Sequence, residues 1–386
     1  IMDNIAGTKS GLTWAVHISV VFLVALWVFP TLGLFVSSFR TTDQISSSGW
    51  WKAMFPTEQT IQLRTCGTAE AVQVDGVYVV EGNMLTDEGG PGLGSELQAF
   101  GVTSRGIGAF QIGETAEFGD DETLVLNEDG TYRYTSAEEP GRRGQRVFVT
   151  AITPAQATLG NYRTILFSGS GQDNMAKAFF NTMTVTVPAT IIPIVIAAFA
   201  AYALAWMDFP GRALLIALVV ALLVVPLQLA LIPLLRLHLE IGIGKGYLGV
   251  WLAHTGFGLP LAIYLLRNYM VGLPRDIIEN AKVDGATDFQ IFTKIILPLS
   301  FPALASFAIF QFLWTWNDLL VAKVFLIDST GSTTVMTNQI VELLGTRGGN
   351  WEILATAAFV SISVPLVVFF AMQRYLVRGL LAGSVK

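Results

Sequence analysis

Residues 279–300 read ENAKVDGATDFQIFTKIILPLS. This charged, helix-forming stretch with a glycine inside it lies between two long apolar runs. Its setting makes it unusual: the 386-residue chain is 52% hydrophobic and only 13% charged, with a mean hydropathy of +0.56. Soluble domains are roughly one quarter charged, so the composition points to a membrane protein with soluble mass attached. In such a chain a polar interruption faces either the lipid surface or another protein. Which of the two it faces decides how the chain is organised.

Outward from this stretch, six segments are long and apolar enough for a bilayer core of about 30 Å, which takes roughly 20 helical residues. They are residues 14–36, 183–206, 213–235, 247–266, 295–320 and 353–372. Pro30, Pro188, Pro193, Pro226, Pro260 and Pro365 fall inside them; membrane helices tolerate prolines because neighbouring groups satisfy the freed backbone. The first segment exceeds a signal-peptide core and no small-residue cleavage site follows it, so a retained helix is expected. Basic residues near span ends set the orientation. Arg374, Arg378 and Lys386 follow the last span without any acid, which places both termini in the cytoplasm. Residues 207–212 and 267–294 then lie inside, and residues 236–246, 321–352 and 40–177 outside.

The net charge of −6 is unevenly distributed, because residues 40–177 hold 10 Lys/Arg against 18 Asp/Glu. Neither this acidic insert nor the rest of the chain has the basic surface of a nucleic-acid binder. Within the insert, residues 72–81 (VQVDGVYVVE) alternate as a strand pair broken at Asp75-Gly76, and residues 123–134 (TLVLNEDGTYRY) do the same around Asp129-Gly130. Both are hairpin signals, so a mainly β insert is expected. The glycine-rich stretches 89–94 and 101–108 lack the G-x-x-x-x-G-K-[ST] spacing of a phosphate loop. Cys66 is the single cysteine, and His17, His238 and His254 are far apart, so no intrachain disulfide and no zinc site is expected. No nucleophile–base or paired-carboxylate arrangement suggests an enzyme.

The opening stretch itself carries helix punctuation. Pro274 is suited to a first helical position, and Ile277, Ile278 and Ala281 then gather on one face, opposite Arg275, Glu279 and Lys282. Gly285 suits a helix stop. Thr287 followed by Gln290 has capping-box spacing, and Phe289, Phe292 and Ile296 carry the next helix into the fifth span, where Pro298 and Pro302 bend it. An interfacial helix would show a basic polar face and larger aromatics. Here acids and bases mix over a modest apolar face, which fits a cytoplasmic protein partner better.

These residues carry a resemblance. Glu279-x-Ala281-x-x-Asp284-Gly285-Ala286, followed by Ile295-Ile296-Leu297-Pro298, resembles the EAA signature of ATP-binding-cassette importer permeases. Ala201-Tyr202-Ala203, Phe209-Pro210-Gly211-Arg212, Ile232-Pro233-Leu234, Leu259-Pro260, Tyr264-Leu265-Leu266-Arg267 and Trp316-Asn317-Asp318 are similar, in order and spacing, to the maltose-type sugar branch. The match covers about residues 10–40 and 178–386. The large insert departs from ordinary members and is similar to the α-glucoside permeases. Asn280 departs as well, standing where the motif has its middle alanine.

The resemblance implies an all-α polytopic protein of the bacterial cytoplasmic (inner) membrane with six transmembrane helices. These are an N-terminal helix in residues 1–39 and a five-helix permease core in residues 178–386, with an extracytoplasmic, mainly β insert at 40–177 between them. It implies a second permease subunit, a dimer of ABC ATPase subunits that carries ATP and Mg, an extracytoplasmic solute-binding protein, and a sugar substrate moved by alternating access. No cofactor is expected on this chain. The segment 274–286 becomes a coupling helix against the ATPase, with Glu279, Asn280, Ala281, Asp284, Gly285, Ala286, Phe289 and Pro298 as coupling residues. In that role Glu279 pairs with a basic group of the ATPase, and Gly285 permits the turn.

Polar residues within spans are costly and mark pathways, which singles out Gln228, His254, Gln311, Asn317 and Asp318. Trp314 and Trp316 nearby would offer a sugar aromatic faces. The plainer readings are that tryptophans mark the membrane interface and that Asp318 caps a helix or pairs with Lys323. The alternative function is a membrane-anchored sensor with the insert as ligand detector, although the cytoplasmic segments are short for an output domain. An ion-coupled carrier would show an inverted repeat or buried acids, and neither is evident.

Overall fold

The computed structural model describes residues 11–74, 76–118, 121–167, 174–327, 330–346 and 348–381. Asp75 of the first expected turn and Lys386 of the basic tail lie outside these. The chain divides into two compact units, residues 1–162 with 349–356, and residues 163–348 with 357–386.

The first unit begins with helix α1 (Gly11–Ser37), apolar along its whole length and exposed on nearly every side. Helix α2 (Thr42–Ser47) follows, opened by a complete capping box between Thr41 and Gln44, and then a 3-10 turn at Trp50–Lys52. The described residues then form nine strands: β1 (Thr57–Arg64), β2 (Val72–Val74), β3 (Val77–Asn83), β4 (Glu96–Gly101), β5 (Phe110–Gln111), β6 (Thr115–Phe118), β7 (Glu122–Leu126), β8 (Thr131–Ser136) and β9 (Arg146–Thr153). They build two antiparallel sheets, ordered β1-β9-β4-β5 and β2-β3-β8-β7-β6. Period-two alternation fixes the buried faces: Val147, Val149 and Ala151 of β9 point inward, as do Ile61 and Leu63 of β1. Val147, Val149, Ile61 and Leu63 meet Val80, Leu124, Leu126, Tyr132 and Tyr134 of the other sheet in one core. Both expected hairpins form, with Val74 opposite Val77 and Leu126 opposite Tyr132. Gly76 and Gly130 take φ of +87° and +84°, the left-handed conformation that such turns require.

The second unit is helical. Helix α3 (Gly160–Phe167) leads to α4 (Met175–Trp206), α5 (Arg212–Leu222), α6 (Leu227–Glu240), α7 (Tyr247–Val271), α8 (Arg275–Val283), α9 (Asp288–Ile291), a π-helical turn at Phe292–Ile296, and α10 (Leu297–Leu299). After these come α11 (Phe301–Trp316), α12 (Leu320–Phe325), α13 (Met336–Thr346) and α14 (Trp351–Leu381). The faces of α4 and α7 are lined with buried small residues, Ala189, Ala197, Ala198 and Ala201 on one and Gly249, Ala253, Gly258 and Ala262 on the other. Small side chains let membrane helices approach closely.

By length and composition four helices can cross a membrane, α1, α4, α7 and α14. The expected third and fifth spans are not straight. Residues 212–240 bend by 109° between α5 and α6, and residues 288–316 bend by 69° between α10 and α11. At the first break Pro226 sits extended at ψ 122° and supplies no N–H to continue the ladder. At the second, Ser300 still donates to Ile296 O at 2.8 Å, but Pro302 cannot donate to Pro298. The second span also starts earlier than its apolar run: α4 opens at Met175, where Asn174 Oδ1 accepts from Lys177 N at 2.9 Å.

Candidate functional site

Helix α8 starts one residue after the proline, because Pro274 itself is extended (ψ 125°) and acts as the cap. Asp276 in the first turn and Lys282 in the last complement the helix dipole. Ile278 is buried at 4% exposure against Ala201, Tyr202, Leu266 and Met270, and Ala281 packs beside it. Ile277, expected on the same face, is 39% exposed, since it lies about 100° around the helix from Ile278. The anchored face is therefore narrower than the sequence indicated.

The end of α8 accounts for the spacing of the motif. Ala286 N donates to Ala281 O and Gly285 N to Lys282 O, both at 3.0 Å, and Gly285 sits at φ +81°. These are the two bonds of a Schellman termination, which takes glycine at the left-handed position and joins two apolar residues across it. Ala281 and Ala286 are those residues, and both pack against the same core.

The next helix starts immediately. Thr287 Oγ1 accepts from Gln290 N at 3.3 Å, while Gln290 Oε1 accepts from Thr287 N at 2.9 Å, completing the expected capping box. Asp288 receives the Tyr202 hydroxyl of α4 at 3.3 Å and lies 3.9 Å from Lys282 Nζ. Ile291, Phe292 and Ile296 are buried, and the Phe292 ring lies 4.7 Å from Phe199 and 5.3 Å from Tyr202. Helix, turn and helix are thus seated on the membrane-helix core without a slack linker.

Glu279, Asn280, Asp284, Phe289 and Pro298 are exposed, whereas Ala281 and Ala286 are half-buried anchors. Val283 at 86% and Phe289 at 65% exposure leave an apolar surface beside the Glu279 and Asp284 carboxylates. Sequence reasoning missed Val283, which breaks the helical pattern, and the role of Tyr202, which is 86 residues from Asp288.

The residues proposed for a substrate pathway separate into two groups. Trp314, Asn317 and Asp318 line a cavity of about 670 Å³ with Leu261 and Phe310. Trp314 also reaches a second cavity of about 590 Å³, bounded by the α5–α6 bend and by Pro260. By contrast Trp316 is buried, stacks on Phe312 with centroids 5.6 Å apart, and donates its Nε1 hydrogen to Ser361 O at 3.0 Å. It packs the core. Gln311 is also buried: its Nε2 donates to Ala189 O at 3.1 Å and to His254 O at 3.4 Å, tying α11 to α4 and α7. Asp318 Oδ2 accepts from Ala322 N at 3.1 Å and lies 3.7 Å from His254 Nε2. It therefore caps α12, and among the described residues its carboxylate lies within 4 Å of the His254 ring and not of Lys323. Gln228 is exposed in the first turn of α6 and lines neither cavity.

Comparison with known proteins gives this geometry a context. The family described as binding-protein-dependent transport system inner membrane component matches residues 172–381. Over 384 residues the chain is 58% identical to the alpha-glucoside transport system permease protein of Rhizobium meliloti (strain 1021), covering 98% of each chain. It is also 58% identical over 240 residues to the osmoprotective compounds uptake permease protein of Synechocystis sp., covering 62% of this chain and 79% of that one. A solved bacterial ABC transporter involved in the import of the acidic polysaccharide alginate matches at 22% identity and a TM-score of 0.48, over 58% of this chain and 81% of that chain. Coverage of 98% on both sides means that the first relative carries a counterpart of the insert.

Proposed function

The chain belongs to the binding-protein-dependent transport system inner membrane components, and from that membership we propose that it admits an α-glucoside-type carbohydrate through the cytoplasmic membrane. It is a permease subunit of an ABC importer, not an enzyme, and the sensor reading falls with the family membership. The substrate class rests on one observation, the 58% identity to an α-glucoside permease that runs through the insert as well as the core.

In this reading each bent helix pair counts as one span, giving six; both termini then share one side, which the basic tail assigns to the cytoplasm, with the insert outside. A second permease subunit completes the pore, two ATPase subunits bind ATP and Mg, and a solute-binding protein delivers the sugar. Segment 274–286 is the coupling helix. Glu279, Asn280, Asp284 and Phe289 face the ATPase, together with the exposed apolar surface at Val283. Ile278, Ala281 and Ala286 hold the segment to the core, so force applied to α8 passes through Asp288 and Tyr202 into α4 and through the π turn into α11. Trp314 and Asn317 line the sugar path, Trp314 offering a ring face and Asn317 an amide. Gln311 and Trp316 shape it from behind.

Uptake by the reconstituted complex across a panel of mono-, di- and trisaccharides tests the substrate class. ATP-dependent accumulation of α-linked glucosides supports the proposal, and accumulation of only non-glucosidic solutes refutes it.

A further inference from the structure

We propose that the turn Trp50-Trp51-Lys52-Ala53-Met54-Phe55, which follows the first membrane helix, is a lipid-inserted anchor that holds the β insert against the leaflet on its own side. The inference rests on α1 crossing the membrane. Residues 14–36 of α1 carry no charge and cover about 33 Å at 1.5 Å per residue, slightly more than a bilayer core of about 30 Å.

The outer end of α1 is marked by polar structure. Asn161 Nδ2 donates to Ser38 O at 3.0 Å and to Arg40 O at 2.9 Å, and Ser38 Oγ lies 2.7 Å from the Tyr162 hydroxyl. The buried Arg40 guanidinium donates to Ser48 O at 2.9 Å and to Ser48 Oγ at 2.6 Å. This clamp returns the chain towards α1 at Gly49. The Trp50 ring then lies 4.6 Å from the Phe29 ring and so close to Gly33 that a Cβ there would meet its Nε1 at 2.8 Å. Phe29 and Gly33 lie about 13 and 7 Å along the helix below Ser38. The Trp50 ring therefore lies back beside the helix, about 5–10 Å inside the span end at residue 36, the depth at which interfacial segments sit.

The exposed side chains suit that depth. Trp51, Met54 and Phe55 are 62%, 83% and 64% exposed, as are most apolar side chains of the helix beside which Trp50 lies. Tryptophan is enriched at this level of the membrane, and Lys52 has the length to carry its ammonium out to the headgroups. Hydrogen bonds from Lys52 N to Gly49 O, Ala53 N to Trp50 O and Phe55 N to Lys52 O, at 3.0–3.1 Å, satisfy these three donors within the turn and lower the cost of placing them in lipid.

Spin labels test the depth. In the assembled transporter in liposomes, on a Cys66→Ser background, nitroxides at Val24→Cys, Met54→Cys and Glu128→Cys are compared for collision with oxygen and with a water-soluble nickel chelate. The expected result is an oxygen-dominated signal at 54, as at 24, and a nickel-dominated signal at 128. Nickel access at 54 with a lipid signal at 24 overturns the anchor while leaving the membrane helix standing. Shielding of 54 from both reagents would overturn it in favour of a protein partner. A nickel-dominated signal at 24 would remove the helix and the anchor together.

Discussion

The amide of Ala286 donates to the carbonyl of Ala281 at 3.0 Å across Gly285. Together with the bond from Gly285 N to Lys282 O it closes α8 and turns the chain, and both alanines pack on the same core. It explains physically why the two alanines and the glycine occur at their spacing, independently of any function.

Gly285→Ala keeps the size of the turn but places a Cβ at φ +81°, a cost of roughly 1–2 kcal/mol. Nothing obstructs the added carbon, so the expected outcome is a folded subunit with a loosened turn. Sugar uptake should fall several-fold at unchanged membrane expression, which immunoblotting and transport in the same vesicles would check.

Tyr202→Phe removes the hydroxyl that meets Asp288 and leaves the ring packing on Phe292. A lost hydrogen bond of this kind costs about 1 kcal/mol. ATP hydrolysis by the complex should persist while sugar moved per ATP declines. An unchanged stoichiometry would remove Tyr202 from the transmission path.

Gly258→Ala tests the crossing of α7 and α11. A Cβ at this position would meet Gln311 Oε1 at 2.6 Å, and overpacking of a tight core costs typically about 1–3 kcal/mol. The variant should melt several degrees below the wild type in detergent, and the Gly258→Ala/Gln311→Ala double variant should lose less than the sum of the two single variants.

The Cys66 thiol gives a pH-dependent readout of the insert. Burial first, and then the neighbouring Glu70 carboxyl, raise its pKa above the ordinary 9.0. Because the thiolate is the reactive form, a raised value means less thiolate at any given pH. Alkylation should be slow at pH 8 and still be accelerating above pH 9; a rate already level by pH 8.5 would contradict this environment.

Much of this was legible in the sequence wherever the signal is local. The Thr287–Gln290 box, the stop at Gly285 and the hairpins on either side of Gly76 and Gly130 each depend on residues within a few positions of one another. The bend at Pro226 was visible only as a proline, since proline inside a span is compatible with a straight helix or a broken one. The roles of Trp314 and Trp316 were not legible. The two are alike in kind and only two positions apart, and only the packing of Phe312, Phe179 and Ser361 around the second separates a core ring from a cavity wall. Asp318 is similar, because its neighbour His254 comes from a different helix.

If α8 is the surface through which an ATPase moves this permease, the bound ATPase covers it. The most direct test is reaction of a Val283→Cys variant, without Cys66, with a membrane-impermeant thiol reagent in inside-out vesicles, with and without the ATPase subunits. Val283 is 86% exposed, so rapid labelling of the permease alone and strong protection once the ATPase is bound are expected, with protection lost in Glu279→Arg. Equal labelling in both states would show that the ATPase does not cover α8.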